Sequence, residues 1–143
     1  MAVRRSREFV TGAAPEVILG VLSDVEAFPS WSDIHQDVKV VDRYPDGRPH
    51  HAKTVIKAMG IRGRQLLELH WGADWMVWDA IEGTRESAGH VEYTLTPELE
   101  GTRVRVDLTV EPTIPLPGFL LRRGSDRVMA ALSDGFCRRI SGM

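Results

Sequence analysis

The chain has 143 residues, 43% apolar and 27% charged, enough for one domain with a sizeable core and typical of soluble globular chains. With 18 basic and 20 acidic residues its formal charge is −2, which excludes the broad basic field that nucleic-acid binding needs. A single cysteine, Cys137, excludes an internal disulfide, and no stretch approaches the roughly 20 apolar residues of a membrane-spanning helix.

The expectation is therefore a single domain over residues 1–143. It is placed in the reducing cytoplasm, because MAVRRSREFV carries arginines but no apolar run of signal-peptide length. Residues Ser6 to Thr11 predict a short strand, broken by Gly12 to Pro15. Pro15 suits the first turn of a helix, and Glu16 suits the positive end of its dipole. Val17, Val21 and Leu22, with Ile18 and Val25, then form an apolar stripe at helical spacing. Ser23 or Asp24 is placed to cap a second short helix, which Pro29 should end just before Trp31.

The middle of the chain alternates and turns. Strands are predicted over Ile34–Tyr44, Arg48–Met59, Ile61–Trp71, Asp74–Ile81, Ser87–Thr96 and Thr102–Glu111, separated by turn residues such as Pro45-Asp46-Gly47 and stopped at Gly60 and Pro97. Near-regular spacing and short turns indicate an antiparallel meander. Val104, Val106, Leu108 and Val110 alternate with Arg103, Arg105, Asp107 and Thr109, so one face is buried and the other wet. The same rule turns Val91, Tyr93 and Leu95 inward. It does so for Ala52, Thr54, Ile56 and Ala58, for Gln65, Leu67, Leu69 and Trp71, and for Met76, Trp78 and Ala80, leaving Trp75 outside. After the stiff connector from Pro112 to Gly118, Phe119–Ile140 predicts one long helix. Its stripe is Leu121, Val128, Ala131, Leu132, Gly135 and Phe136, and Arg122, Arg123, Arg127, Arg138 and Arg139 lie off it. Gly124 and Gly135 each weaken that helix by about 1 kcal/mol relative to alanine. They are either simply tolerated or make room at the helix surface for a strand or a ligand.

Four stretches in this order, APEVILGVLSDVEAFPSW at 14–31, WDAIEG at 78–83, YTLTPELEGTRVRVDLTVEP at 93–112 and PLPGFLLRR at 115–123, resemble the START / Bet v 1-like superfamily (SRPBCC), in its polyketide cyclase/dehydrase and lipid-transport branch. The resemblance implies an α+β helix-grip fold. A curved antiparallel sheet of about seven strands, the first beside the last, wraps a long C-terminal helix, and two short helices after the first strand close one end. It also implies an internal apolar cavity, a hydrophobic small-molecule ligand such as a lipid, isoprenoid or polyketide, and no cofactor. Some relatives of this kind act through a protein partner instead.

Within that frame Trp31, Trp71 and Trp78 are placed to line an apolar chamber with Leu67, Tyr93, Leu95, Phe119 and Leu132, or to fill it as plain core residues. Burying about 300 Å² of apolar ligand surface contributes roughly 7 kcal/mol gross, enough for a carrier without an ionic contact. The rival reading is an aromatic polyketide cyclase/dehydratase in which His35, Gln65 and Tyr93 orient and protonate a substrate shaped by the cavity. Against it, His35 reads first as a surface histidine capping a strand end, and Tyr93 as a buried tyrosine with a core partner. A third reading is a protein-interaction module with an exposed apolar patch around Trp75. No nucleophile elbow, HExxH or cysteine pair is present. Cys137 reads as a structural thiol despite the arginines beside it. His50 and His51, adjacent on a strand, should point to opposite faces, so no metal site is expected.

Overall fold

The structure, a computed structural model, describes residues 2–58, 61–83, 88–111 and 117–142. The expected turn at Met59-Gly60, the strand start at Ser87, the side chain of Ala58 and the Pro112–Leu116 part of the connector lie outside the described residues and side chains. In chain order the elements are β1 (Val3–Thr11), α1 (Pro15–Ser23), a 3₁₀ helix (Val25–Ser30), β2 (His35–Arg43), β3 (Pro49–Ala58), β4 (Ile61–Trp71), β5 (Trp75–Gly83), β6 (Ala88–Glu98), β7 (Gly101–Glu111) and α2 (Gly118–Ala130). A π-helical segment (Ala131–Gly135) then leads into α3 (Phe136–Ser141).

The seven strands form one antiparallel sheet in the order β1-β7-β6-β5-β4-β3-β2. The first strand lies beside the last, and the curved sheet grips the C-terminal helix. Alternation places the faces as the sequence implies. Leu67, Leu69, Met76, Trp78, Val91, Tyr93, Leu95, Val104, Val106 and Leu108 are buried, while Trp75 is exposed. The Pro45-Asp46-Gly47 turn forms, and Gly47 takes a φ of 94° that favours glycine.

The differences from the sequence reading have local physical causes. Pro97 does not end β6, which runs on to Glu98 and pairs Pro97 with Thr102. The β5 pairing on its other side stops at Thr94, so no ladder there needs the missing N–H. Pro29 sits inside the 3₁₀ helix rather than ending it, and Asp24 holds the N-cap position without a side-chain cap bond. In α1 the buried pair is Ile18 and Leu22, one turn apart, which turns Val17 outward at 42% exposure.

Phe119 is 56% exposed and does not face the interior. The buried stripe of α2 is Leu121, Ser125 and Met129, and Phe119, two residues before it, is rotated by about 200° to the opposite side. His50 and His51 do not diverge; their ring centroids are 4.0 Å apart. Asp42 pairs with His51 and Arg43 with Pro49, so His50 is the extra residue of a β-bulge. Val41 is the extra residue of a compensating bulge on β2. A bulged residue leaves the ladder and re-aims its side chain.

The glycine at 135 has a definite use. A Cβ there would lie 2.3 Å from the Trp31 carbonyl oxygen, so glycine is what lets the π-helical segment approach the chain leaving the 3₁₀ helix.

Candidate functional site

Among the described residues, the interior is fully packed toward one end of the sheet, and the inward-facing side chains are less buried toward the other. In the packed part five aromatic rings form a circuit. Phe28 of the 3₁₀ helix packs on Trp31 at 4.9 Å, Trp31 on Phe136 of α3 at 5.0 Å, and Phe136 on Tyr93 of β6 at 5.4 Å. Tyr93 then packs on Trp78 of β5 at 6.0 Å, and Trp78 back on Phe28 at 5.5 Å. Tilted and edge-on contacts at these separations add to simple burial. The Tyr93 hydroxyl donates to the Leu132 carbonyl at 2.8 Å, inside the π-helical segment. Burial pushes that hydroxyl well above its ordinary value of 10, so it remains a neutral donor. Trp31 is buried, with its indole Nε1–H unpartnered.

Toward the other end the inward-facing positions lose burial in successive strands. On β3, Ala52 and Thr54 are buried and Ile56 is half-buried; on β4, Leu69 and Leu67 are buried and Gln65 is half-buried. On β5, Met76 and Trp78 give way to Ala80, and on β7, Val104, Val106 and Leu108 give way to Val110. Across from them on α2, Gly124 and Val128 are half-buried as well. The cross-strand register groups these positions at one end of the sheet: Thr54 faces Gln65, Leu67 faces Ala80, and His35 faces Ile56. These positions are apolar apart from Thr54, Gln65 and His35.

The residues expected to line a chamber therefore separate into groups. Leu67, Trp78, Trp31, Tyr93, Leu95 and Leu132 are all buried in one apolar cluster. Trp71 lies six residues along β4 from Gln65, about 20 Å away. There its Nε1–H donates to the Pro49 carbonyl at 2.8 Å and the Arg48 guanidinium lies over its ring. Phe119 is on the outer side of α2.

Of the candidate acid/base groups, His35 is not at the surface. It is 5% exposed, packed between Phe28 and Trp78, and its Nδ1 shares a 2.6 Å hydrogen bond with buried Ser32 Oγ. Burial lowers its pKa from 6.5 to about 4, so the ring is neutral at neutral pH. Two of the three candidates are already engaged: His35 Nδ1 by Ser32, and the Tyr93 hydroxyl by the Leu132 carbonyl. Sequence reasoning missed Ser32. The serine three residues before a histidine at a helix-to-strand junction was the available signal. It also named Ile56 and Ala80 as inward without seeing that they sit where full burial ends.

A concavity of about 290 Å³ lies against α1 and the 3₁₀ helix, lined by Val17, Gly20, Val21, Asp24, Ala27, Trp31 and Arg139. Among the described residues, no helix is long and apolar enough to cross a membrane.

Comparison with known proteins agrees with this architecture. The model of the family described as polyketide cyclase / dehydrase and lipid transport matches residues 11–137. No curated protein matches in sequence. Among solved structures, a START superfamily protein from Mycobacterium smegmatis superposes with a TM-score of 0.84 at 23% identity, covering 99% of this chain and 97% of that one. A protein from Thermus thermophilus gives 0.76 at 29% identity over 98% and 97%. The Zhui aromatase/cyclase from a Streptomyces species gives 0.78 at 11% identity over 98% and 94%, a likeness of fold.

Proposed function

From a chain that belongs to the polyketide cyclase / dehydrase and lipid transport family, with its inward-facing positions less buried toward one end of the sheet, we infer a protein that binds one hydrophobic or amphipathic small molecule between the sheet and α2. The apolar body of the ligand lies against Ile56, Leu67, Trp78 and Ala80 on the sheet and Gly124 and Val128 on the helix. Its polar end meets the Gln65 amide. The observation that carries this reading is the loss of burial at inward-facing positions toward one end of β3, β4, β5 and β7. A core that existed only for stability gains nothing from leaving Ile56 and Val128 partly uncovered. About 300 Å² of ligand apolar surface covered there contributes roughly 7 kcal/mol before ordering costs, a binding driven by burial rather than by charge.

The test is a titration with a fluorescent fatty-acid probe, together with mass spectrometry of a solvent extract of the purified protein. Wild-type protein should bind one probe molecule saturably. Ile56→Trp and Val128→Trp, which fill the space from half-buried positions, should weaken binding tenfold or more while the protein stays folded. Gln65→Leu should change which head groups are preferred. Unchanged probe affinity in both tryptophan variants would overturn the reading.

A further inference from the structure

We propose that Asp42, His50 and His51 form a binding site for a divalent transition-metal cation of the zinc class, on the outer face of the sheet where β2 meets β3. Among the described residues, these three bring one ligating atom each within 4.8 Å of one another. His51 Nδ1 is 2.9 Å from Asp42 Oδ1, and His50 Nδ1 is 3.8 Å from the same oxygen. Nitrogen and oxygen ligands about 2.05 Å from a tetrahedral zinc ion stand about 3.3 Å apart. The two observed separations bracket that edge, so small side-chain rotations close the triangle around an ion.

The surroundings hold the donors as a metal site requires. The bulge at His50 turns its ring to the side of its neighbour. The Tyr44 ring stacks on His50 at 4.3 Å, and the Tyr44 hydroxyl is itself fixed to the Leu69 carbonyl at 2.6 Å. On the far side of the His51 ring, Nε2 is 3.4 Å from Glu68 Oε2. A carboxylate that accepts from the second nitrogen of a metal-bound histidine sets its tautomer and raises its basicity. Glu68 is therefore a positioning residue. All three donors remain accessible to solvent. A bound ion requires His51 Nδ1 without its proton and would take that proton's place beside Asp42. Two histidines and one aspartate leave the fourth tetrahedral position for water or an external ligand.

The experiment is calorimetric titration of the chelator-treated, purified protein with Zn²⁺ alone, with the visible spectrum of the Co²⁺ form as a second readout. The expected result is one ion per chain with a dissociation constant of about 10 μM or tighter. His50→Ala and His51→Ala should each weaken it tenfold or more. Glu68→Gln should weaken it by about tenfold while the tetrahedral Co²⁺ spectrum persists. His90→Ala, on another part of the sheet, should leave the isotherm unchanged. Absence of saturable binding up to about 100 μM Zn²⁺, or wild-type affinity in both histidine variants, would overturn the proposal.

Discussion

The burial of His35 makes acid stability a test of the packing. The ring is 5% exposed, and desolvation alone takes its pKa from 6.5 to about 4. The folded state therefore binds its proton less readily than the unfolded chain does. The sign follows from linkage: the neutral ring supports the fold fully above pH 6.5, and that support is lost as pH falls from 6.5 toward 4. A depression of this size corresponds to about 3 kcal/mol in all, with about 1 kcal/mol lost near pH 5.5 and most of the rest by about pH 4.5. The assay is urea unfolding, followed by tryptophan fluorescence over that range, for the wild type and for His35→Gln. Glutamine keeps a partner for Ser32 but cannot titrate. Asp42, Asp46 and Glu68, whose pKa values are lowered by hydrogen bonds to His51, Arg48 and His70 in turn, also destabilise the fold in acid. They are common to both proteins, so only the difference between the two pH profiles is read. The wild type should lose about 3 kcal/mol more than the variant between pH 7 and pH 4. Parallel profiles, or a His35 ring resonance titrating near 6.5, would refute the buried, uncharged assignment.

Other perturbations probe the same frame. Gly135→Ala, which in an ordinary helix stabilises by about 1 kcal/mol, should here destabilise by about 2 kcal/mol, because the new methyl meets the Trp31 carbonyl; a raised Tm would contradict the close approach. Tyr93→Phe should cost about 1 kcal/mol and lower Tm by a few degrees, since it removes the hydroxyl donor to Leu132 while keeping the ring. Phe119→Ser should leave stability within about 0.5 kcal/mol of wild type and probe affinity unchanged, which separates its observed outer position from the interior one that the sequence suggested.

What the sequence made legible followed from period. A strand has only two faces, so once Val104 and Val106 are inside, the parity of Leu108 and Val110 is settled, and Trp75 must oppose Met76 and Trp78. The same arithmetic, applied to the helix, would have excluded Phe119, which lies half a turn from Leu121. What was not legible depended on the partner rather than on the chain's own pattern. His35 stands at a strand start, where histidines are commonly wet; Phe28 and Trp78, seven residues before it and 43 after, are what cover it. The pairing of His50 with His51 arises from two compensating bulges, which exist only in the register between β2 and β3. The Leu132 acceptor of Tyr93 lies in a π-helical turn that no residue pattern announced.

The proposed site separates stability from binding along the chain. The aromatic circuit draws its members from the 3₁₀ helix and the residue that caps it, β5, β6 and α3, so loss of any one ring loosens contacts between elements far apart in sequence. The half-buried positions toward the other end of the sheet are Ile56, Gln65, Ala80, Val110, Gly124 and Val128. None of these belongs to the circuit, so substitutions there can change the shape of the space at small cost to the fold. Trp78 belongs both to the circuit and to the proposed ligand contacts. Trp78→Ala would therefore remove ligand contact and cost about 3–5 kcal/mol of stability together. A loss of binding in that variant says nothing about where the ligand sits. Substitutions at Ile56 and Val128 leave the circuit intact, so a change in affinity there reports on the proposed site.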